Sequence, residues 1–203
     1  PYTGALLTSA HDAYETPLGT IPVDRQAARD LDARLESRSE IRLAQVSQDP
    51  EHSLEIELPF LQRALPGDFQ LLPLMVRELR AGVLEIIGQS LAEVLKDRPS
   101  LLVASSDLSH FFPQQVAEQL DRNVLDRVEA LDPSGVLRIE EEGKGFACGR
   151  GAVAAVLWAA QALGADCAQV LHYATSGHVT GDFTQVVGYA AAVITRSKAK
   201  AAS

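Results

Sequence analysis

Leu101-Leu102-Val103-Ala104-Ser105-Ser106-Asp107-Leu108-Ser109-His110 sets an apolar run directly against three hydroxyls, a carboxylate and an imidazole. The four apolar residues read as a buried strand, and Phe111-Phe112-Pro113 leads on into a helical pattern. In open α/β sheets, ligands bind at the carboxyl ends of strands. An Asp/His pair placed there suits acid–base chemistry, because an imidazole titrates near neutral pH and a carboxylate fixes its tautomer. The same hexapeptide also suits a capped helix start with a surface histidine.

The flanking segments alternate in kind. Upstream, Ala81 to Leu95 carries Leu84, Ile87 and Leu91 at helical spacing, and before it Phe69 to Val76 reads as a strand with Pro73 marking an edge or irregularity. Ser53 is placed to cap a helix through Leu54, Leu58, Leu61 and Leu65, with Pro59 kinking or shortening it. Ile41 to Val46 is a strand candidate, and Gln48-Asp49-Pro50-Glu51-His52-Ser53 a loop. A helix from Asp24 has Ala27, Ala28, Leu31 and Leu35 on one face. Tyr14 to Thr20 forms a hairpin or extended loop, and Ala5 to Ala10 a strand.

Downstream, Gln114 to Leu131 is a helix spaced by Val116, Leu120, Val124 and Val128, and Asp132-Pro133-Ser134 caps a shorter one ending near Gly143. Ala152 to Leu163 is an apolar helix of small residues, so it packs closely. Strands Ala168 to Ala174 and Gln185 to Thr195 finish the domain; the second, free of charge, is expected to be central or well covered. The tail from Lys198 to Ser203 is expected to fray. Strands alternating with helices predict an α/β fold, a central mixed sheet flanked by helices, over a single domain spanning 1–203.

The chain has 203 residues, 46% of them hydrophobic, which is enough for one sizeable core. A net charge of −9 without a basic cluster argues against nucleic acid or an anionic membrane surface as partner. No apolar run approaches the ~20 residues of a transmembrane helix. With no charged-then-apolar leader and only two cysteines, Cys148 and Cys167, a cytoplasmic protein in a reducing compartment is the expectation. The start at Pro1, without Met and directly before a strand, reads as an entry into the middle of a domain, as in a truncated polypeptide.

Cys148-Gly149-Arg150-Gly151 precedes the apolar helix, so the thiol sits at the positive end of a helix dipole beside backbone N–H groups and a guanidinium. That setting favours a thiolate, which serves as nucleophile or as ligand for iron, copper or zinc. A small buried residue at a tight backbone turn is the structural alternative, against which the flanking glycines weigh. Cys167, His172 and His178 read as structural. His52 with Glu55 one turn on suits a carboxylate orienting an imidazole, or equally a helix-capping arrangement. Glu140-Glu141-Glu142 reads as a solvated face.

Four stretches together resemble the Memo family in order and approximate spacing. They are Tyr14-Glu15-Thr16-Pro17-Leu18-Gly19 ahead of Val23-Asp24; Glu51-His52-Ser53-Leu54-Glu55 with Leu58-Pro59-Phe60; Ser105 to His110; and Cys148-Gly149-Arg150. Prokaryotic members are called AmmeMemoRadiSam system protein B, and the eukaryotic relative is a cell-motility protein. The resemblance covers essentially the whole chain. It implies a fold similar to class III extradiol dioxygenases and a pocket holding iron(II) or copper through two histidines and one cysteine. Cys148 matches the cysteine ligand, His110 the acid–base histidine and Asp107 its neighbour; Ser106, Gly149, Arg150, His52 and Glu55 fall to the pocket. The family's two ligand histidines lie in segments upstream of the position matching Pro1 and are absent from these 203 residues, so the metal site is expected to be incomplete here.

The function so implied is a metal-binding, dioxygenase-like protein, an oxidoreductase dependent on non-haem iron or copper, with a small-molecule or peptide ligand and a possible homo-oligomeric state. Two alternatives use the same residues. One is a metal-free cysteine hydrolase with Cys148 as nucleophile, His110 as base and Asp107 as its orienter. The other is a non-catalytic module binding a phosphopeptide or other anion through Arg150 and the helix N-terminus.

Overall fold

The computed structural model describes residues 4–48 and 52–197. Glu51, the residues Pro1 to Thr3 at the start and the tail Lys198 to Ser203 lie outside the described residues. The chain is α/β, and its strands are distributed over three sheets in two compact units, Pro1–Glu78 with Glu93–Pro99 and Leu79–Ala92 with Ser100–Ser203.

In the first unit, β1 (Leu6–Ser9) lies between β4 (Leu43–Val46), parallel to it, and β5 (Met75–Val76), antiparallel. All four residues of β1 are buried, as expected for a strand covered on both faces. A separate hairpin joins β2 (Ala13–Thr16) to β3 (Gly19–Pro22) through Pro17-Leu18. Helix α1 (Arg25–Arg38) starts where Asp24 accepts the Ala27 N–H at 2.8 Å, and it buries Ala27, Ala28, Leu31 and Leu35, the face read from the spacing.

Two expectations in this unit are corrected. Of the strand expected over Phe69 to Val76, only Met75–Val76 forms a strand, with Leu71 making an isolated parallel bridge to Val23. Pro73 has no N–H to give a ladder, and its carbonyl instead accepts the Thr8 hydroxyl at 2.8 Å. Ser53 does not cap a helix: residues 53–57 form turns, and α2 runs from Leu58 to Ala64 with Pro59 in its first turn. A proline there forfeits only an N–H that has no intrahelical acceptor, so it begins the helix rather than kinking it.

In the second unit, β6 (His110–Phe112), β8 (Val186–Thr195) and β7 (Cys167–Thr175) form an antiparallel sheet in the order β6-β8-β7. Helices α4 (Gln114–Glu129), α5 (Pro133–Glu141, capped by Asp132) and α6 (Arg150–Ala162) bring Leu108, Val124, Leu125, Ile139 and Ala147 into one core cluster and Val128, Val136 and Leu157 into another. Helix α3 (Ala81–Leu95) has the bounds expected, and α7 (Gly177–Thr180) is one short turn after β7. Among the described residues, no helix is long and apolar enough to cross a membrane.

The opening stretch departs from its reading. Residues 101–109 are in no strand, and Leu101 and Val103 are exposed. Leu108 N–H donates to Gly188 O and Gly188 N–H to Ser109 O, and the described strand β6 follows from His110. An apolar run is a strand only where a neighbour completes its ladder, which composition alone does not determine. Strand β8 is central in its sheet, yet Tyr189 and Val193 are exposed, so it is not covered along its length.

Candidate functional site

Ser105 to His110 meets the turn before α6 through its backbone. Cys148 N–H donates to Asp107 O at 3.2 Å, and Asp107 N–H donates back to Cys148 Sγ at 3.3 Å. The Ser106 hydroxyl donates to Asp107 O and accepts the Gly149 N–H, each at 2.8 Å, and lies 3.8 Å from Cys148 Sγ. Ser106 therefore ties the two segments together. Gly149 permits this because a Cβ there would stand 2.5 Å from Ser105 O and 2.8 Å from Ser106 Cβ.

Asp107 presents its carboxylate to the other side. Its Oδ2 lies 3.5 Å from His110 Nε2, and both side chains are partly exposed. The imidazole stands between two phenyl rings, Phe146 at 5.4 Å and Phe111 at 5.9 Å between centroids, both tilted. Cys148, Ser106, His110 and Gly149 thus gather around Asp107, with no hydrogen bond between thiol and imidazole. Arg150 is paired with Glu140 at 2.5 Å, so its guanidinium is already compensated. His52 and Glu55 belong to the first unit, 3.8 Å apart and largely exposed.

The residues that hold this arrangement escaped the sequence reading. Asp121 on α4 is fully buried; its Oδ1 accepts the Ser109 N–H at 2.8 Å and its Oδ2 the Tyr173 hydroxyl at 2.7 Å. Its position was legible as an anomaly: Ala117, Asp121, Val124 and Val128 share one helical stripe, and a carboxylate in an apolar stripe needs partners. The stripe expected through Val116 and Leu120 is instead displaced, with Val116 exposed. Tyr189 on β8 was missed as well: its side chain is partly exposed, yet desolvation of the phenol and, second, the nearby Asp107 charge raise it above the ordinary range.

Burial, with the Asp121 carboxylate second, pushes the Tyr173 phenol well above its usual value of 10.0. The folded state thus holds that proton more tightly than the unfolded chain. The stabilisation is complete below the unfolded-state value near 10 and is lost as pH rises beyond it. We expect the urea midpoint of wild type to fall more steeply above pH 10 than that of Tyr173→Phe; parallel curves would refute the coupling.

Among the described residues, no three His, Cys, Asp or Glu side chains are grouped so as to hold a metal ion. At this cluster the soft donor is Cys148.

An α/β unit carrying a thiol, carboxylate and imidazole around one backbone crossing is the class defined so far. The profile of the Memo-like protein family matches residues 2–193, and the chain belongs to that family. It is 36% identical to a MEMO1 family protein of Methanopyrus kandleri over 95% of this chain and 68% of the relative. To a MEMO1 family protein of Methanothermobacter thermautotrophicus it is 36% identical over 88% and 64%, and to one of Nitrosopumilus maritimus 33% over 91% and 66%. The chain spans about two thirds of the length of the curated relatives it matches.

Proposed function

We propose that this chain forms part of a metal-dependent Memo-like protein, an oxidoreductase, in which Cys148 is a thiolate ligand to iron(II) or copper and the remaining ligands lie outside the described residues. One observation carries the reading: the Cys148 sulfur accepts the Asp107 N–H while the carboxylate of the same Asp107 faces His110 Nε2. An N–H donor stabilises a sulfur anion, and a soft sulfur favours copper or iron over harder ions. Beside it, His110 holds or passes a proton at Nε2, with Asp107 orienting the ring. The greater length of the relatives leaves room for further ligands. Metal content of the full-length protein, measured by plasma mass spectrometry, is expected to fall at least ~10-fold in Cys148→Ser, as loss of a ligand demands. Equal metal in both proteins would sink the assignment.

The alternatives fit less well. A cysteine hydrolase needs the base on the nucleophile, and here the partners of Cys148 Sγ are Asp107 N–H and Ser106 Oγ. An anion-binding module needs a free cation, and Arg150 is engaged by Glu140.

A further inference from the structure

The first unit contains a cavity of about 280 Å3 lined by two stretches far apart in the sequence. One is Tyr14-Glu15-Thr16 on β2; the other runs into the start of α2 and contributes Glu55 and Leu58. Both belong to the four stretches that carry the family resemblance, and neither contributes to the Asp107–His110–Cys148 cluster. The walls are tied to each other. The Thr16 hydroxyl donates to Gln62 Oε1 on α2 at 2.6 Å, which holds the hairpin against the helix. His11 also lines the cavity, and its Nε2 lies 2.8 Å from Ser47 O. A carbonyl only accepts, so Nε2 carries a proton, and Nδ1 of the neutral ring is left as an acceptor. The polar lining is thus rich in acceptors, with the Glu15 and Glu55 carboxylates foremost, and among the described residues no lysine or arginine lines it. Glu55 Oε2 is approached by His52 Nδ1 at 3.8 Å, longer than a hydrogen bond.

We propose that this cavity is a binding site for a small primary alkylammonium. An ammonium offers three donors and no acceptor, the complement of such a lining. Ala13 and the buried Leu58 supply apolar surface for a few methylene groups. The volume lies at the lower end of small-molecule sites, which suits a short free amine rather than one carried on a polypeptide. Glu15 and Glu55 are exposed to water, so the affinity is modest and falls with salt.

The probe is n-butylammonium, titrated into the full chain at about pH 8, where a primary amine is protonated, with backbone amide shifts followed by NMR. The amides of Tyr14 to Thr16 and Glu55 to Leu58 are expected to saturate with a Kd of about 1 mM. That Kd should rise at least ~fivefold in Glu15→Gln and in Glu55→Gln and stay unchanged in Glu141→Gln, which removes an exposed carboxylate from the second unit. The same spectra show that each variant is folded. The uncharged n-butanol should not saturate these amides, and N-acetyl-lysine methylamide should bind more weakly than n-butylammonium. Absence of saturation by n-butylammonium, a wild-type Kd in either Glu15→Gln or Glu55→Gln, an equal rise in Glu141→Gln, or equal binding of n-butanol would each overturn the proposal. Binding of the lysine derivative as tightly as n-butylammonium would overturn the free-amine assignment in favour of a lysine side chain.

Discussion

Gly188→Ala is expected to lower the unfolding free energy by about 4 kcal/mol, the range reached when a buried charged network is broken. A Cβ at this position on β8 would overlap Asp121 Oδ2 and lie 2.7 Å from Asp121 Cγ. That carboxylate has nowhere to go. It is fully buried, and its two oxygens are engaged by Ser109 N–H and Tyr173 hydroxyl from different segments. Displacing it strands a charge, a hydroxyl and a backbone N–H together, each of which is costly to leave unpaired. The effect reaches the site, since Ser109 is the residue before His110 and its carbonyl accepts the Gly188 N–H. Urea unfolding followed by circular dichroism measures it, and Tm should fall by roughly 10 °C. A loss under about 1 kcal/mol would mean that Asp121 has freedom the packing does not suggest.

Gly149→Ala is expected to destabilise by about 3 kcal/mol through overpacking and to disrupt the thiol's setting at the same time. Here the added methyl meets backbone: Ser105 O at 2.5 Å, with Ser106 Cβ at 2.8 Å and Oγ at 3.1 Å. Relief requires the Ser105 to Asp107 strip to move away from the Cys148 turn. That motion breaks Gly149 N–H to Ser106 Oγ and loosens Asp107 N–H to Cys148 Sγ. The rate of Cys148 alkylation by iodoacetamide should change by about tenfold, because the sulfur loses its Asp107 N–H donor and its neighbour Ser106 Oγ. Cys167, at the start of β7, supplies the reference within the same sample. An unchanged Cys148 rate in a folded variant would detach the glycine from the site.

The comparison of these two glycines shows where sequence reading reaches and where it stops. Gly149 stood out in Cys-Gly-Arg-Gly before an apolar helix as a place where a ligand could come close to the backbone, and the structure puts Ser105 O and Ser106 there. Gly188 did not, because its neighbour Asp121 lies far away in the chain and on another element. The hexapeptide splits in the same way. Asp107 and His110 do lie 3.5 Å apart, whereas the strand expected just before them at Leu101 to Ala104 depended on a ladder partner that composition does not name.

What the amino-acid order settled alone was local. Asp24 and Asp132 cap their helices with their own side chains, α1 and α3 follow from apolar spacing, and four ordered motifs sufficed to indicate the family. These depend on contacts within a few residues, where spacing translates directly into geometry. Tertiary structure alone decided that Ser106 fastens the Cys148 turn, that Arg150 is spoken for by Glu140, that Asp121 holds Ser109, and that Phe111 stands strained and exposed beside His110. Each of these turns on which distant group arrives within about 3 Å, or on whether anything covers a ring, and hydrogen bonding and burial at that range are properties of the packed chain.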